Sequence, residues 1–494
     1  MPYRISGRWW DVTEESIVEW LKMKNAIRTY SHDDIGSARL LSDIFNKMCR
    51  YNATASEWYE FNGKYWAIDL GGLKVRNMTK ILAKALIKYA VSASEDDNKY
   101  LKYAATWNEH RKRNTIIQDA RDLNFFKNED CDIDMYILNC LNGVLVLHQD
   151  SVEFIKHDPD LLLTQIANVR YDPDKSCVRW EKFVDEVMEG NQEKVRYLQK
   201  LFGICLTGDT RLEKMWFLFG STTRNGKSTM IETISNLLGT YAVSVRAETL
   251  AIKNNTDSRT ASPDIAKLAG KRLAVASEPQ KRMALDVALL KSMTGRDTIS
   301  ARFLHQSEFQ FTPCFKLICN TNYLPIVSDT TIFKSDRVQV ISFDRHFTGS
   351  EQDKTLKNKL STGNALSGIL NWCISGWLLF CKEGLDEPED IREATVEYAN
   401  SSDKMQNFIN DCLVEKKGCN IAIKDLYEKY EEWCNDNGFH TENKRNFIDD
   451  VKSKNIYKAS GTVNGKTVRN IIRGYDFASE DFIEIDESEP LPFD

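Results

Sequence analysis

The stretch Lys214–Met230, KMWFLFGSTTRNGKSTM, has the residue order of a phosphate-binding loop, but its first glycine is displaced. An apolar run of strand length ends at Gly220, and apolar residues at helical spacing follow Lys227. The usual signature places four residues between its two glycines. Here Ser221 stands at the position of the first glycine, and Gly220 comes one residue too early. The strand, loop and helix context still predicts a phosphate-binding turn in an α/β sheet.

The residues after the displaced glycine have the groups that hold nucleotide phosphates. Backbone N–H groups of such a loop and of the following helix N-terminus bind phosphate oxygens, and a glycine lets the backbone approach closely. Lys227 is predicted to reach the β- and γ-phosphates of ATP, and Ser228 to bind the Mg²⁺ ion. The predicted nucleotide-binding residues are Asn225, Gly226, Lys227, Ser228 and Thr229.

Three later apolar runs of strand length carry polar residues at their ends. RLAVASE ends in Glu278, whose carboxylate can orient water towards the γ-phosphate, and CFKLICNTN ends in Asn322, which could hold the same water from the side. RVQVISF begins with Arg337, placed where an arginine of a ring ATPase reaches the neighbouring subunit's γ-phosphate. Each residue alone would fit an ordinary strand end. Their order on successive strands after a phosphate loop predicts an ATPase.

The composition is that of an ordinary globular protein of several domains. The chain has 494 residues, 42% of them hydrophobic, and a formal net charge of −6, so any DNA site must be a local concentration of positive charge. The twelve cysteines form no Cys-x-x-Cys pair, which favours reduced cysteines in the cytoplasm over a zinc site. No membrane span is expected, because the apolar segment Ala365–Cys381 is interrupted by polar residues and is predicted to be a buried helix.

The pattern along the chain predicts a multidomain α+β protein. The first part is mainly helical and contains one hairpin at Asn62-Gly63, and the second contains a hairpin at Asn142-Gly143. The central part alternates apolar runs and helices, and after a linker, NSSD, three amphipathic helices and a hairpin at Asn464-Gly465 suggest a winged helix. The predicted segments are 1–115, 116–205, 206–395, 403–476 and an acidic tail at 477–494, with the linker at 400–403.

The motifs NGKST, RLAVASEP, LKSMTGRDTISARFLHQSEFQFTPCFKLICNTNYLP and DRVQVISF together resemble the superfamily 3 helicases. In particular they resemble the phage/plasmid primase–helicase family that poxviruses share. The resemblance implies an AAA+ type fold with a phosphate loop and a hexameric ring. It also implies ATP-driven unwinding of DNA or translocation on it, with 3′-to-5′ polarity and with single-stranded or forked DNA as the partner.

The resemblance also implies roles for individual residues. Lys227 and Ser228 would hold nucleotide and Mg²⁺, Glu278 would be the catalytic acid, Asn322 the sensor, and Arg337 the finger that acts on the neighbouring subunit. Two positions depart from common ATPase patterns: Ser221 replaces the first loop glycine, and Ser277 stands where many ATPases have a metal-associated aspartate. Neither departure removes a group that the chemistry requires.

A hairpin between the acidic strand and the sensor strand is the first candidate DNA contact. TISARFL and FQF alternate around HQSE, and in the resembling family this hairpin points into the central channel of the ring. Residues 271–306 hold seven basic and three acidic residues in a chain that is negative as a whole. The predicted DNA contacts are Arg302, His305 and Gln306. A charged surface hairpin can also serve solubility alone.

The winged-helix segment offers a second surface, for which binding to DNA and binding to protein remain equally open. Relatives often carry a primase, whose chemistry needs paired carboxylates. Asp132 and Asp134 follow a charged loop and are predicted to be solvated, so primers are expected from another protein. The tail has seven acids and no basic residue, and it is predicted to recruit a replication protein or to compete with DNA.

The leading hypothesis is therefore a helicase of a phage or mobile element that acts as a hexamer in the cytoplasm. Two alternatives stay open. One is an origin-binding initiator ATPase that assembles on DNA without processive unwinding, and the other is a small-molecule kinase with the same phosphate loop. Origin-selective binding without unwinding would favour the first, and a monomer whose ATPase ignores DNA would favour the second.

Overall fold

The computed structural model describes residues 12–93, 98–252, 262–281, 283–304, 308–327, 329–437, 439 and 441–478. The predicted acidic tail lies almost entirely outside the described residues, as do His305 and Gln306.

The N-terminal part packs helices on a small four-stranded sheet, and its core includes Leu82 and Trp107. The predicted hairpin at Asn62-Gly63 is confirmed, because the strands on either side of this turn pair antiparallel. The predicted boundary at residue 115 is wrong, since a helix crosses it and a later strand completes the sheet. The elements are α1 (Glu14–Met23), α2 (Ala26–Thr29), α3 (Asp34–Phe45), β1 (Cys49–Asn52), β2 (Glu57–Phe61), β3 (Trp66–Ile68), α4 (Leu73–Ala93), α5 (Asn98–Thr106), α6 (His110–Asp119) and β4 (Phe125–Phe126).

The second part is a three-stranded antiparallel sheet followed by two helices. The predicted hairpin at Asn142-Gly143 is confirmed, with Cys140 opposite Gly143. The solvated state expected for Asp132 is wrong, because its half-buried carboxylate accepts a hydrogen bond from Thr164 N at 3.0 Å and burial raises its pKa. Asp134 is exposed, as expected. The elements are β5 (Ile137–Cys140), β6 (Gly143–Leu147), β7 (Val152–Ile155), α7 (Val178–Val187) and α8 (Gln192–Ile204).

The central part is a five-stranded sheet whose strands are all parallel, which confirms the predicted α/β sheet. Its strands follow the order β14-β8-β13-β10-β9, so the strand that leads into the glycine-rich loop lies between two later strands. The elements are β8 (Met215–Phe219), α9 (Lys227–Leu238), β9 (Ala242–Arg246), α10 (Pro263–Ala266), β10 (Leu273–Ser277), α11 (Val287–Thr294), β11 (Ile299–Ala301), β12 (Phe309–Phe311), β13 (Lys316–Thr321), α12 (Thr331–Lys334), β14 (Val338–Ser342), α13 (Leu356–Leu360), α14 (Gly363–Glu383) and α15 (Glu389–Ser402).

Helices α8 and α14 cross at close range and join the second part to the central part. A Cβ at Gly203 would lie 2.6 Å from the carbonyl carbon of Gly376, so the small residues permit backbone contact. One hydrophobic core runs through both parts, so the boundary predicted at residue 205 divides no separate unit. Within the described residues, α14 is the one helix whose length and hydropathy would suit a membrane span, and 56% of its most apolar window is buried. This burial confirms the predicted buried helix.

Two buried cations hold the start of the central sheet against the second part. The Arg272 guanidinium donates to the carbonyls of Leu206 and Ile137 and lies 4.3 Å from the centre of the Tyr241 ring. Lys316 donates to the Thr207 carbonyl, and burial lowers its pKa to about 8. Because buried carbonyls need partners, these cations serve the fold.

The C-terminal part has the order helix, strand, helix, helix, strand, strand. The predicted hairpin is confirmed, since Asn464 and Gly465 both have positive φ, as the tightest hairpin turns require. The predicted linker at 400–403 is wrong, because α15 continues to Ser402. The strand between the first two helices was not predicted. The elements are α16 (Lys404–Cys412), β15 (Leu413–Ala422), α17 (Ile423–Asp436), α18 (Lys444–Ser453), β16 (Tyr457–Val463) and β17 (Lys466–Phe477).

Candidate nucleotide-binding site

The glycine-rich loop joins β8 to α9 at the carboxyl edge of the parallel sheet, where ligands of such sheets bind. A Cβ at Gly220 would lie 2.7 Å from the Phe343 carbonyl and 2.8 Å from Lys227 Nζ. Gly226 has φ +85°, and a Cβ there would lie 2.5 Å from Val187. A side chain would not fit at the displaced Gly220. Ser221, which stands at the usual glycine position, is exposed and has room for its side chain.

Lys227 begins α9, and its ammonium group is buried beneath the loop. Its Nζ donates to the Gly220 carbonyl at 3.1 Å and to Asn322 Oδ1 at 2.9 Å. Its side chain has little contact with solvent, and burial lowers its pKa to about 8. Phosphate oxygens nearby would favour the charged form.

ATP binding is expected to weaken about tenfold between pH 7 and pH 9, because the charged form of Lys227 becomes a minor species above its pKa of about 8. Titration with a non-hydrolysable ATP analogue at pH 7, 8 and 9 measures the effect. The Lys227→Arg protein is the control, since a guanidinium keeps its charge over this range. Equal affinity of the unaltered protein at both ends of the range would contradict the prediction.

Ser228 and the end of β13 meet at the entrance of the site. Asn320 Nδ2 donates to Ser228 Oγ at 3.2 Å, and Ser228 is exposed. Mg²⁺ commonly takes one or two protein oxygens and completes its shell with phosphate oxygens and water. An exposed hydroxyl at the start of α9 fits that requirement. Among the described residues, no three His, Cys, Asp or Glu side chains come together as a metal site of their own.

Asn225 and Thr229 differ in their relation to the loop. Asn225 is buried, and its Nδ2 donates to the Thr222 carbonyl at 2.7 Å, so it holds the loop in shape. Thr229 is half-buried on α9, where its carbonyl accepts a bond from Thr233 Oγ1 at 2.7 Å.

Glu278 follows β10 at the same edge of the sheet. Its N–H donates to the Asn320 carbonyl at 3.0 Å, its side chain is exposed, and its φ is +53°. A left-handed backbone is costly for a residue other than glycine, and such residues occur often at functional sites. One strand separates β10 from β8, so the backbones of these two strands lie about 10 Å apart.

Asn322 follows β13, which lies between the strands that lead to Lys227 and Glu278. Its side chain is half-buried and accepts the bond from Lys227. The structure therefore brings Lys227, Ser228, Glu278 and Asn322 to one edge.

Arg337 lies at the opposite edge, before β14. Its guanidinium donates to Glu213 Oε2 at 2.7 Å, to Thr294 Oγ1 at 3.0 Å and to the Lys291 carbonyl at 3.2 Å. The length of β8 separates it from Lys227, a distance of about 15 Å or more. Arg337 cannot act at the loop of its own subunit.

The hairpin predicted for DNA contact is present, with β11 and β12 paired antiparallel. Arg302 follows β11 and is half-buried, whereas His305 and Gln306 lie outside the described residues. Not all of the seven basic residues counted in residues 271–306 are available to line a DNA channel. Arg272 is a buried structural cation, and Lys271 donates to the Thr240 carbonyl at 2.7 Å.

Several site residues were missed by the sequence analysis. The segment Phe343–Phe347 after β14 supports the loop: Phe347 N donates to the Arg224 carbonyl at 3.0 Å, and His346 Nδ1 lies 2.8 Å from the Thr223 carbonyl. Asn320 and Glu213 were also missed. The residue Asn320 could have been found, since it stands two positions before Asn322 in CFKLICNTN.

The chain is therefore a multidomain α/β protein with a glycine-rich loop at the carboxyl edge of a parallel sheet. Family comparison identifies three regions of this chain. Residues 38–189 match the D5 N terminal like family, residues 218–337 match a family of unknown function (DUF5906), and residues 400–480 match the Poxvirus D5 protein-like family. The chain belongs to the D5-like primase–helicase family.

Curated relatives come from large DNA viruses and a virophage. A protein named "Putative helicase" from Acanthamoeba polyphaga mimivirus is 27% identical over 77% of this chain. Proteins with the same description from Frog virus 3 and Sputnik virophage are 26% and 25% identical over 46% and 42% of the chain. The chain spans 43%, 25% and 28% of these three relatives. The solved C-terminal region of NrS-1 is 11% identical, with a TM-score of 0.41, over 68% of this chain and 96% of that one.

Proposed function

We propose that this chain is an ATP-dependent DNA helicase or translocase of a virus or mobile element, built on an AAA+ type ATPase core. The convergence of Lys227, Ser228, Asn322 and Glu278 at one edge of the sheet supports the proposal most strongly. The helicase names of the viral relatives support the same class of activity.

In this proposal each residue at the carboxyl edge of the sheet has its own role in ATP hydrolysis. Lys227 binds the β- and γ-phosphates, and Ser228 holds Mg²⁺, which neutralises phosphate charge. Glu278 orients a water molecule and accepts its proton, and Asn322 fixes that water from the side. Each group keeps its place because a strand end or a helix start carries it.

The position of Arg337 favours action between subunits. It lies too far from its own loop, so it would stabilise the γ-phosphate bound by the next subunit. A head-to-tail contact of this kind closes into a ring when the rotation allows. We propose a hexamer around single-stranded or forked DNA, in the cytoplasm of the host, with ATP and Mg²⁺ as ligands.

ATP-dependent strand displacement on a forked duplex tests the proposed function, with measurement of particle size with and without ATP. We expect the unaltered protein to displace the strand and the Lys227→Ala protein to fail. DNA binding without strand displacement would indicate the initiator alternative. A monomer whose ATPase ignores DNA would contradict both.

Replacing Arg302 with alanine is expected to weaken single-stranded DNA binding about tenfold, because a charge-assisted hydrogen bond to phosphate contributes about 1.5 kcal/mol. The ratio of ATP hydrolysis rates with and without DNA should fall accordingly. Fluorescence anisotropy and steady-state hydrolysis measure these effects. Arg296→Ala is the control, since Arg296 is exposed outside the hairpin strands. Equal losses in both variants would exclude a specific role for the hairpin.

A further inference from the structure

The C-terminal domain, residues 404–477, distributes its charge unevenly between its helices and its sheet. Helix α17 carries two basic and five acidic residues, and α18 carries three basic and two acidic residues. The hairpin of β16 and β17, called the wing below, carries four basic residues and one acidic residue. The wing is thus the positive side of this domain.

Three of the five cations on α17 and α18 are paired with a carboxylate of the same helix. Lys424 pairs with Glu428 at 3.8 Å, Lys429 with Glu432 at 3.1 Å, and Lys452 with Asp449 at 3.0 Å. An ion pair of this kind reduces the positive potential that a phosphate would meet. The helices therefore offer little net attraction to a polyanion.

The cations of the wing differ in this respect. Within the described part of the chain, none of them has a carboxylate within 4.0 Å, and all four are exposed. Asp476 is the one acidic residue of the wing, and it forms an ion pair with Lys416 of the neighbouring strand at 2.8 Å. The four wing cations are Lys458, Lys466, Arg469 and Arg473.

We propose that the wing binds the phosphate backbone of double-stranded DNA, outside the ring channel and independently of base sequence. This inference extends the proposed function and rests on it only for the choice of a nucleic acid. Lys466 and Arg473 are seven residues apart on one strand, a span of about 23 Å that matches about seven base pairs. Among the described residues of β16 and β17, no aromatic side chain is fully exposed. Proteins usually hold single-stranded DNA by stacking its bases on such side chains, so the wing is better suited to a duplex.

The salt dependence of duplex binding tests the inference, with the full chain, no nucleotide and a blunt-ended duplex of mixed sequence. Each phosphate contact contributes about 0.9 to the slope of log affinity against log salt concentration. A wing variant with all four cations replaced by glutamine should lower the slope by about 3 to 4. A helix variant with the same number of changes should lower it by less than about 1. The wing variant is Lys458→Gln, Lys466→Gln, Arg469→Gln and Arg473→Gln. The helix variant is Lys404→Gln, Lys424→Gln, Lys429→Gln and Lys452→Gln, all of which are ion-paired.

An unchanged slope in the wing variant, or a larger loss in the helix variant, would overturn the inference. The acidic tail is the rival occupant of the wing. If removal of residues 479–494 tightens duplex binding when the wing is intact but not in the wing variant, the tail and the duplex compete for the wing, which supports the inference. Because nucleotide is absent, wing binding can succeed even if the chain proves not to hydrolyse ATP.

Discussion

Arg337→Ala protein is expected to hydrolyse ATP roughly 10³-fold more slowly than the unaltered protein, at the lower end of the effect of arginine fingers. Binding of an ATP analogue should persist, because Arg337 and Lys227 lie at opposite edges of the sheet. The expected loss is therefore in kcat. Steady-state hydrolysis and analogue titration on the assembled protein measure the two quantities separately.

Mixing inactive subunits distinguishes action between subunits from a structural role of Arg337. Lys227→Ala subunits retain the arginine, and Arg337→Ala subunits retain the phosphate loop. In an equal mixture, about one quarter of head-to-tail contacts combine an intact loop with an intact arginine. Hydrolysis should return in the mixture although each protein alone is inactive. A mixture as inactive as its components would contradict a finger role.

The ion pair with Glu213 provides the matched control for this variant. Glu213→Gln removes the charge that Arg337 contacts at 2.7 Å but keeps the guanidinium. Glu213 also has a left-handed backbone, with φ +51°, just before β8. If the defect of Arg337→Ala comes only from the lost ion pair, Glu213→Gln should reproduce it. We expect a much smaller loss, since the finger itself remains.

The elements of the site were predictable because each follows from local sequence. Three elements have a clear hydrophobic pattern and a clear last or first residue. They are the apolar strand before Gly220, the helix that begins at Lys227 and the strand that ends before Glu278. Residues at the ends of parallel strands come together at one edge, so their order along the chain was informative. Arg337 was predicted at the start of a strand, and the structure accordingly has it at the opposite edge of the sheet.

The errors of the sequence analysis arose where contacts are distant in sequence. Arg272 was counted as a channel cation, but it donates to carbonyls 66 and 135 residues away. Strand β15, LVEKKGCNIA, was missed because half of its residues are exposed and its middle, EKKG, is polar, and its pairing with β17 forms through the backbone. The reason for the displaced Gly220 depends on Phe343, which a local motif cannot include.

Replacing Glu278 with glutamine is expected to lower kcat for ATP hydrolysis by roughly 10²- to 10⁴-fold, the usual contribution of a general base. The amide keeps the size of the side chain but cannot accept the proton of the attacking water. Nucleotide affinity should change little, because the phosphates are held by Lys227 and the loop. The ATP-bound assembly should therefore persist, and particle size in ATP should stay at that of the ring.

A second glutamate at the same edge of the sheet provides the matched control for this prediction. Glu248 is exposed and is the second residue after β9, the strand next to β10. Glu248→Gln therefore makes the same chemical change one strand further from the phosphate loop. Its backbone φ is not left-handed, whereas that of Glu278 is +53°. Near-normal hydrolysis by Glu248→Gln together with a large loss in Glu278→Gln would assign the base to the strained position. Hydrolysis at the unaltered rate in Glu278→Gln would instead show that another group activates the water.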